Sequence, residues 1–79
     1  MEHPVRLVAE RHLTPPRPVG VELEGRWWPG LQHAWRLCDD GRGWIANVEF
    51  NVHHEWAWGK HLSCVPPGRV RLVEPRYLR

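Results

Sequence analysis

The sequence predicts a small all-β domain of five strands. Glycine and proline interrupt the 79-residue chain every several residues, and no stretch sustains apolar residues at helical spacing for three turns. Several segments instead alternate apolar and polar residues, as strands with one buried face do. A chain of this length is expected to form a single domain with a modest core.

The first two strands are predicted over 19–23 and 31–37. A tight turn at 25–26 joins them, and a bend is expected at 29–30, because proline cannot donate to a ladder and the following glycine tolerates unusual dihedral angles. Alternation indicates a buried face on the first strand formed by Val19, Val21 and Leu23. On the second strand, one face is expected to carry Leu31, His33, Trp35 and Leu37.

The third strand is predicted over 44–50, hairpinned to the second through the Asp-Gly turn at 39–43. Its alternation assigns one face to Trp44, Ala46, Val48 and Phe50. Residues 51–59 are expected to form a distal loop or hairpin edge. A fourth strand is expected at 60–65, before the Pro-Pro-Gly turn, and a short fifth strand at 70–73.

Outside this domain of residues 19–73, the sequence predicts an N-terminal extension over 1–18 and a basic tail over 74–79. Residues 5–10 of the extension are expected to form an edge strand. The proline-rich residues 14–18 are expected to run as a polyproline II linker.

The six tryptophans are more than a core of this size needs, since two or three indoles would dominate it. Trp35 and Trp44, in strand interiors, are expected in the core. Surface positions beside proline, glycine or charge are expected for Trp28, Trp56 and Trp58. Alternation places Trp27 and Trp28 on opposite sides of the chain. Exposed aromatic clusters indicate binding surfaces.

Charge is unevenly distributed along the chain, although the net charge is only +2. Residues 66–79 carry four arginines against one glutamate, whereas residues 19–65 carry six carboxylates against four cations. An acidic middle with exposed aromatic rings suits a cationic or proline-rich peptide better than a phosphate backbone.

Other chemistry finds little support in the sequence. His53, His54, His61 and Cys64 fall close together, but their spacing matches no zinc motif, so we expect neither metal nor other cofactor. Cys38 and Cys64 are expected to be inert buried thiols, and no phosphate loop or nucleophile elbow is present, so we expect no enzyme. The chain shows neither an apolar run of transmembrane length nor a signal-peptide pattern, which favours a cytoplasmic protein with no membrane partner.

The order of strands and turns over 19–73, ending in CVPPGRVRLV, resembles an SH3-like barrel, and GRWWPGLQHAW followed by DGRGWIANVEF is similar to the Tudor and agenet group. The resemblance implies a five-stranded barrel whose rim forms a partial aromatic cage for methylated lysine or arginine. It assigns Trp28 and Phe50 to the cage, followed by Asn51, with His53 or Trp56 as a further wall. Leu23 stands where the family has another aromatic residue, and leucine offers no π face.

The sequence therefore predicts a recognition module without enzymatic activity that binds a basic or proline-containing protein segment. Its predicted binding residues are Trp28, Phe50, Asn51, His53, Trp56 and Trp58. The alternative is a nucleic-acid-associated accessory protein that uses the same aromatic residues together with its basic end. In that case the phosphate-binding residues would be Arg69, Arg71, Arg76 and Arg79.

Overall fold

The computed structural model describes residues 4–73, which form one sheet of five antiparallel strands in the order β4-β3-β2-β1-β5. The strands are β1 Leu7–Leu23, β2 Arg26–Cys38, β3 Trp44–His53, β4 Trp58–Val65 and β5 Val70–Leu72, with a 3-10 turn at Pro67–Arg69. The all-β prediction is confirmed. The predicted closure into a barrel is wrong, because β4 and β5 lie at opposite edges of the sheet and do not pair with each other. The three residues of β5 pair with β1, and β4 pairs with β3. Within the described chain, no helix is long and apolar enough to cross a membrane.

The first strand is much longer than the predicted 19–23. It pairs with β2 over Leu7–His12 and again over Arg17–Leu23, with a register shift between the two stretches. The segment 14–18, expected as a polyproline II linker, therefore lies within β1. Proline is compatible with extended backbone, and its missing amide donors fall largely where the ladder is already interrupted. The edge strand expected at 5–10 overlaps the start of β1.

The core lies on one face of the sheet, and its buried members are Val19, Val21, Ala46, Val48, Phe50, Val52 and Val65. Leu23, Trp28, Trp35 and Val70 are partly buried and pack against these residues. The alternation predicted for β3 is confirmed from Ala46 to Phe50 and continues to Val52. The contact that Trp35 makes with the core also agrees with the sequence.

The face predicted for β2 is wrong at its centre. Gln32 and Ala34 are fully buried, whereas Leu31 is 38% exposed. A register shift between Gln32 and Ala34 inserts His33 as an extra residue, and an insertion of one residue exchanges the two faces of a strand. The buried amide of Gln32 accepts a hydrogen bond from Arg17 Nε (3.0 Å) and donates to the Ala34 carbonyl (3.2 Å), so its polar atoms are satisfied.

Trp44 is also misplaced by the sequence prediction, since it is 38% exposed rather than part of the core. It is the first residue of β3 and pairs with Leu37 at the end of the ladder with β2. The next residue, Ile45, is the one that is buried, at 4% exposure. Few neighbours can cover an indole at the end of a hairpin ladder, so alternation alone predicts its burial poorly.

Candidate recognition site

A cleft of about 480 Å³ opens where the β1–β2 turn faces the β3–β4 hairpin. We call it the histidine cleft, because its lining includes His53, His54 and His61 together with Leu23, Glu24, Arg26, Trp28 and Val52. Its volume lies in the range typical of small binding sites.

The β1–β2 turn brings one acidic and one basic residue to this cleft. Glu24 and Gly25 both have positive φ, at 52° and 81°, as a two-residue hairpin turn that follows the twist of its strands requires. The Gly25 amide donates a 2.6 Å hydrogen bond to the Glu22 carboxylate, which closes the turn. Glu24 and Arg26 are thereby held beside the half-buried indole of Trp28.

Each histidine of the cleft contacts an aromatic ring. His54 stacks on Trp56 with ring centroids 5.2 Å apart and planes inclined by 10°. His53 and Trp58 are tilted by 55° at 4.9 Å. The third histidine stacks on the buried Phe50 at 5.3 Å and lies 6.0 Å from the His54 ring. These contacts form two groups of rings: Phe50, His61, His54 and Trp56 are linked in succession, and His53 contacts Trp58.

A glycine allows the hairpin loop to fold over β4. A Cβ atom at Gly59 would lie 2.9 Å from Nε2 of His54 and 3.8 Å from Nε2 of His61. The His54 amide donates to the Ala57 carbonyl at 2.8 Å, which fixes the start of the loop. These contacts place the imidazole of His54 above the strand instead of in solvent.

The residues predicted as a binding site are distributed between this cleft, its border and the core. Trp28 and His53 line the cleft. Trp56 and Trp58 stand at its border through their contacts with the histidines, and they are 81% and 63% exposed. Asn51 is exposed opposite Lys60.

Phe50, assigned to the cage by the family resemblance, is 4% exposed and belongs to the core, with His61 stacked on its ring. It therefore has little surface to offer a ligand. Sequence reasoning did not include His54, His61, Glu24 or Arg26 in the site. His61 could have been found from the β3–β4 register, which pairs it with Phe50.

Several carboxylates of the acidic middle are already paired with cations. Glu22 contacts Arg69 (3.2 Å), and Asp40 contacts Arg42 (2.5 Å). Hydrogen bonds from Lys60 and then His33 hold the pKa of Glu49 below its ordinary value. The carboxylates that have no cationic partner within residues 4–73 include those of Glu24, which lines the cleft, and Glu55, on the β3–β4 loop.

The arginines of the alternative, nucleic-acid prediction differ in their availability. Arg69 donates two hydrogen bonds to the Glu22 carbonyl, at 3.1 and 2.8 Å, and also contacts its carboxylate. Arg71 stacks on Trp27, with Cζ 4.2 Å from the ring centroid. Arg76 and Arg79 lie outside the described residues.

The thiols differ from the sequence prediction, because Cys64 is exposed and Cys38 is only half-buried. Both are free, and Nη1 of Arg36 lies 4.0 Å from the Cys64 sulfur. Among residues 4–73, no three histidine, cysteine or acidic side chains are grouped so that they could hold a metal ion.

Comparisons with protein-family models, curated proteins and solved structures found no match for this chain. The likeness to SH3-like barrels of the Tudor and agenet group therefore stays a prediction. The geometry of the histidine cleft is the basis on which a function can be proposed.

Proposed function

We propose that this protein is a recognition module without enzymatic activity that binds a basic or proline-containing protein segment at the histidine cleft. The observation that carries the proposal is that Trp28 lines the cleft, while Trp56 and Trp58 contact two of its lining histidines, His54 and His53. Indole faces attract ammonium and guanidinium groups and also pack against proline rings. Trp56 and Trp58 are 81% and 63% exposed, and exposed apolar residues that cluster, unlike single ones, mark interaction sites.

The charges around the cleft support a cationic ligand. Glu24 and Glu55 have no cationic partner among the described residues, so each can pair with a lysine or arginine of the bound segment. Arg26, also at the cleft, restricts where that cation can lie. A nucleic-acid strand is a weaker proposal for this cleft, because Arg69 is occupied by Glu22 and Glu24 would repel phosphate.

We further propose that the ligand side chain lies across open rings instead of entering an enclosed cage for methylated residues. Burial of Phe50 beneath His61 and the presence of Leu23 in the lining both support this proposal. An SH3-like fold remains part of the proposal. It is supported by the strand order, with β1 between β2 and β5, and by the 3-10 turn before β5.

The test is an NMR titration of the full chain with an arginine- and proline-rich peptide, following the indole resonances. Trp56→Ala and Trp58→Ala should each weaken binding by about 2- to 5-fold, the value of an exposed cation–π contact. Trp44→Ala is the matched control, because Trp44 is an exposed indole that neither lines the cleft nor stacks on one of its histidines in the described chain. Equal weakening by Trp44→Ala and Trp56→Ala, or no indole shift at all, would contradict the proposal.

A further inference from the structure

A second cleft, of about 590 Å³, lies beside β5. Its lining includes Gly20, Trp27, Pro29, Arg71 and Leu72, and we call it the Trp27–Arg71 cleft. Val19 and Val21 belong to the core, so the intervening Gly20 faces the other side of β1, where it pairs with both Pro29 and Arg71. Apart from Trp28, none of the residues that line this cleft also line the histidine cleft.

Arg71 stacks on Trp27 and crosses Gly20, whose lack of a side chain leaves room for it. Its guanidinium lies over the Trp27 indole, and its side chain crosses Gly20, where an added Cβ would be 3.4 Å from Cγ and Nε of the arginine. Neither an ion pair nor a hydrogen bond engages this guanidinium within residues 4–73. Its N–H donors therefore have no protein partner within residues 4–73, in a cleft whose other described lining side chains are apolar or aromatic.

A guanidinium that stacks on an indole and has no protein partner for its N–H donors is suited to a carboxylate, which it can bind through two parallel hydrogen bonds. The surrounding Trp27, Pro29 and Leu72 offer apolar surface for the residue next to that carboxylate. We propose that the Trp27–Arg71 cleft is a second binding site, which accepts a peptide segment carrying a glutamate or aspartate beside an apolar side chain.

The charge of the cleft favours a single carboxylate over a nucleic-acid strand. Among the described residues that line it, Arg71 is the one cation. The nearby Arg69 is already paired with Glu22. A phosphate backbone gains affinity from a row of cations, each contact releasing counterions, and such a row is missing from this part of the described chain.

The experiment titrates the full chain with an acetylated, amidated hexapeptide of alternating glutamate and leucine, and with the same peptide carrying glutamine for glutamate. The Trp27 indole resonance and isothermal calorimetry report binding. We expect the glutamate peptide to shift the Trp27 resonance and the glutamine peptide to bind at least 5-fold more weakly. Arg71→Gln should weaken binding of the glutamate peptide to the level of the glutamine peptide.

Two further variants separate the site from general charge effects. Arg71→Lys keeps the charge but loses the planar guanidinium, so it should bind the glutamate peptide more weakly than the parent protein does. Arg11→Gln removes an exposed arginine from the other end of β1 and should leave affinity unchanged. Equal effects of Arg71→Gln and Arg11→Gln would overturn the proposal. So would a decathymidylate that shifts the Trp27 resonance when the glutamate peptide does not.

This proposal does not rest on the proposed function, because the two clefts share only Trp28 among their lining residues and their proposed ligands carry opposite charges. Trp56→Ala should abolish neither the Trp27 shift nor the calorimetric signal of the glutamate peptide. A failure of the basic peptide to bind would therefore leave this proposal standing. Likewise, a failure of the glutamate peptide to bind would leave the proposed function standing.

Discussion

Replacement of Gly30 by alanine should severely destabilise the sheet. A Cβ atom at this position would lie 2.5 Å from the Glu49 carbonyl oxygen and 2.8 Å from Phe50 Cβ. The carbonyl belongs to the backbone of β3, which cannot rotate away as a long side chain can. Relief of the contact therefore requires β2 and β3 to separate where Gly30 pairs with Phe50, a residue of the core.

The magnitude follows from overpacking of a well-packed core, which typically costs about 1–3 kcal/mol. For a domain of this size, a loss of about 2 kcal/mol lowers the melting temperature by roughly 8–16 °C. Chemical denaturation and calorimetry of Gly30→Ala against the parent protein measure both quantities. Gly68→Ala is the control, because nothing lies within 4 Å of its added Cβ.

At Gly68 the same substitution should be neutral or should stabilise the fold by up to about 1 kcal/mol, since alanine restricts the unfolded chain. The reasoning would be refuted if Gly30→Ala stayed within about 0.5 kcal/mol of the parent, a shift typical of ordinary surface changes. It would also be refuted if the two variants were equally destabilised, because the difference between them comes from the contact with β3.

Two further predictions concern charge and reactivity. Hydrogen bonds from Lys60 and His33 hold the pKa of Glu49 below its ordinary 4.5, so the ionised Glu49 stabilises the fold above that pH. In acid unfolding, this stabilisation should be lost as pH falls through the folded pKa of Glu49. Glu49→Gln should lack that part of the acid dependence. Iodoacetamide should alkylate the exposed Cys64 before the half-buried Cys38, as mass spectrometry of digests would show; the opposite order would contradict the geometry.

The sequence predicted the regular parts of the fold and missed its irregularities. Alternation from Ala46 to Phe50 correctly marked the inward face of β3, because no insertion interrupts that strand. The same rule failed on β2, where His33 is an extra residue that no local pattern distinguishes from its neighbours. Residues 14–18 were mistaken for a linker because their prolines lack backbone N–H donors. Composition does not show whether the ladder with β2 requires a donor at those positions, and it is interrupted between His12 and Arg17.

The candidate site could be predicted only in part, since its residues meet through strand pairing. Trp56 and Trp58 were predicted at the surface from the charged residue and the glycine beside them, and both are exposed. The meeting of His54 with His61 depends on the β3–β4 register and on Gly59, where the absence of a side chain leaves room for an imidazole. Neither fact is available from composition or spacing, so the sequence analysis considered these histidines only as metal ligands, a role that it rejected.

The adjacent Trp27 and Trp28 connect the two clefts and offer a way to separate them. Trp28 packs against the core and lines both clefts, whereas Trp27 lies under Arg71 and lines one. Trp27→Leu keeps an apolar side chain but removes the surface on which Arg71 stacks, so it should weaken the glutamate peptide and spare the basic one. Trp28→Leu should weaken both peptides. If Trp27→Leu instead weakened only the basic peptide, the assignment of opposite charges to the two clefts would be wrong, although either cleft could still bind a ligand.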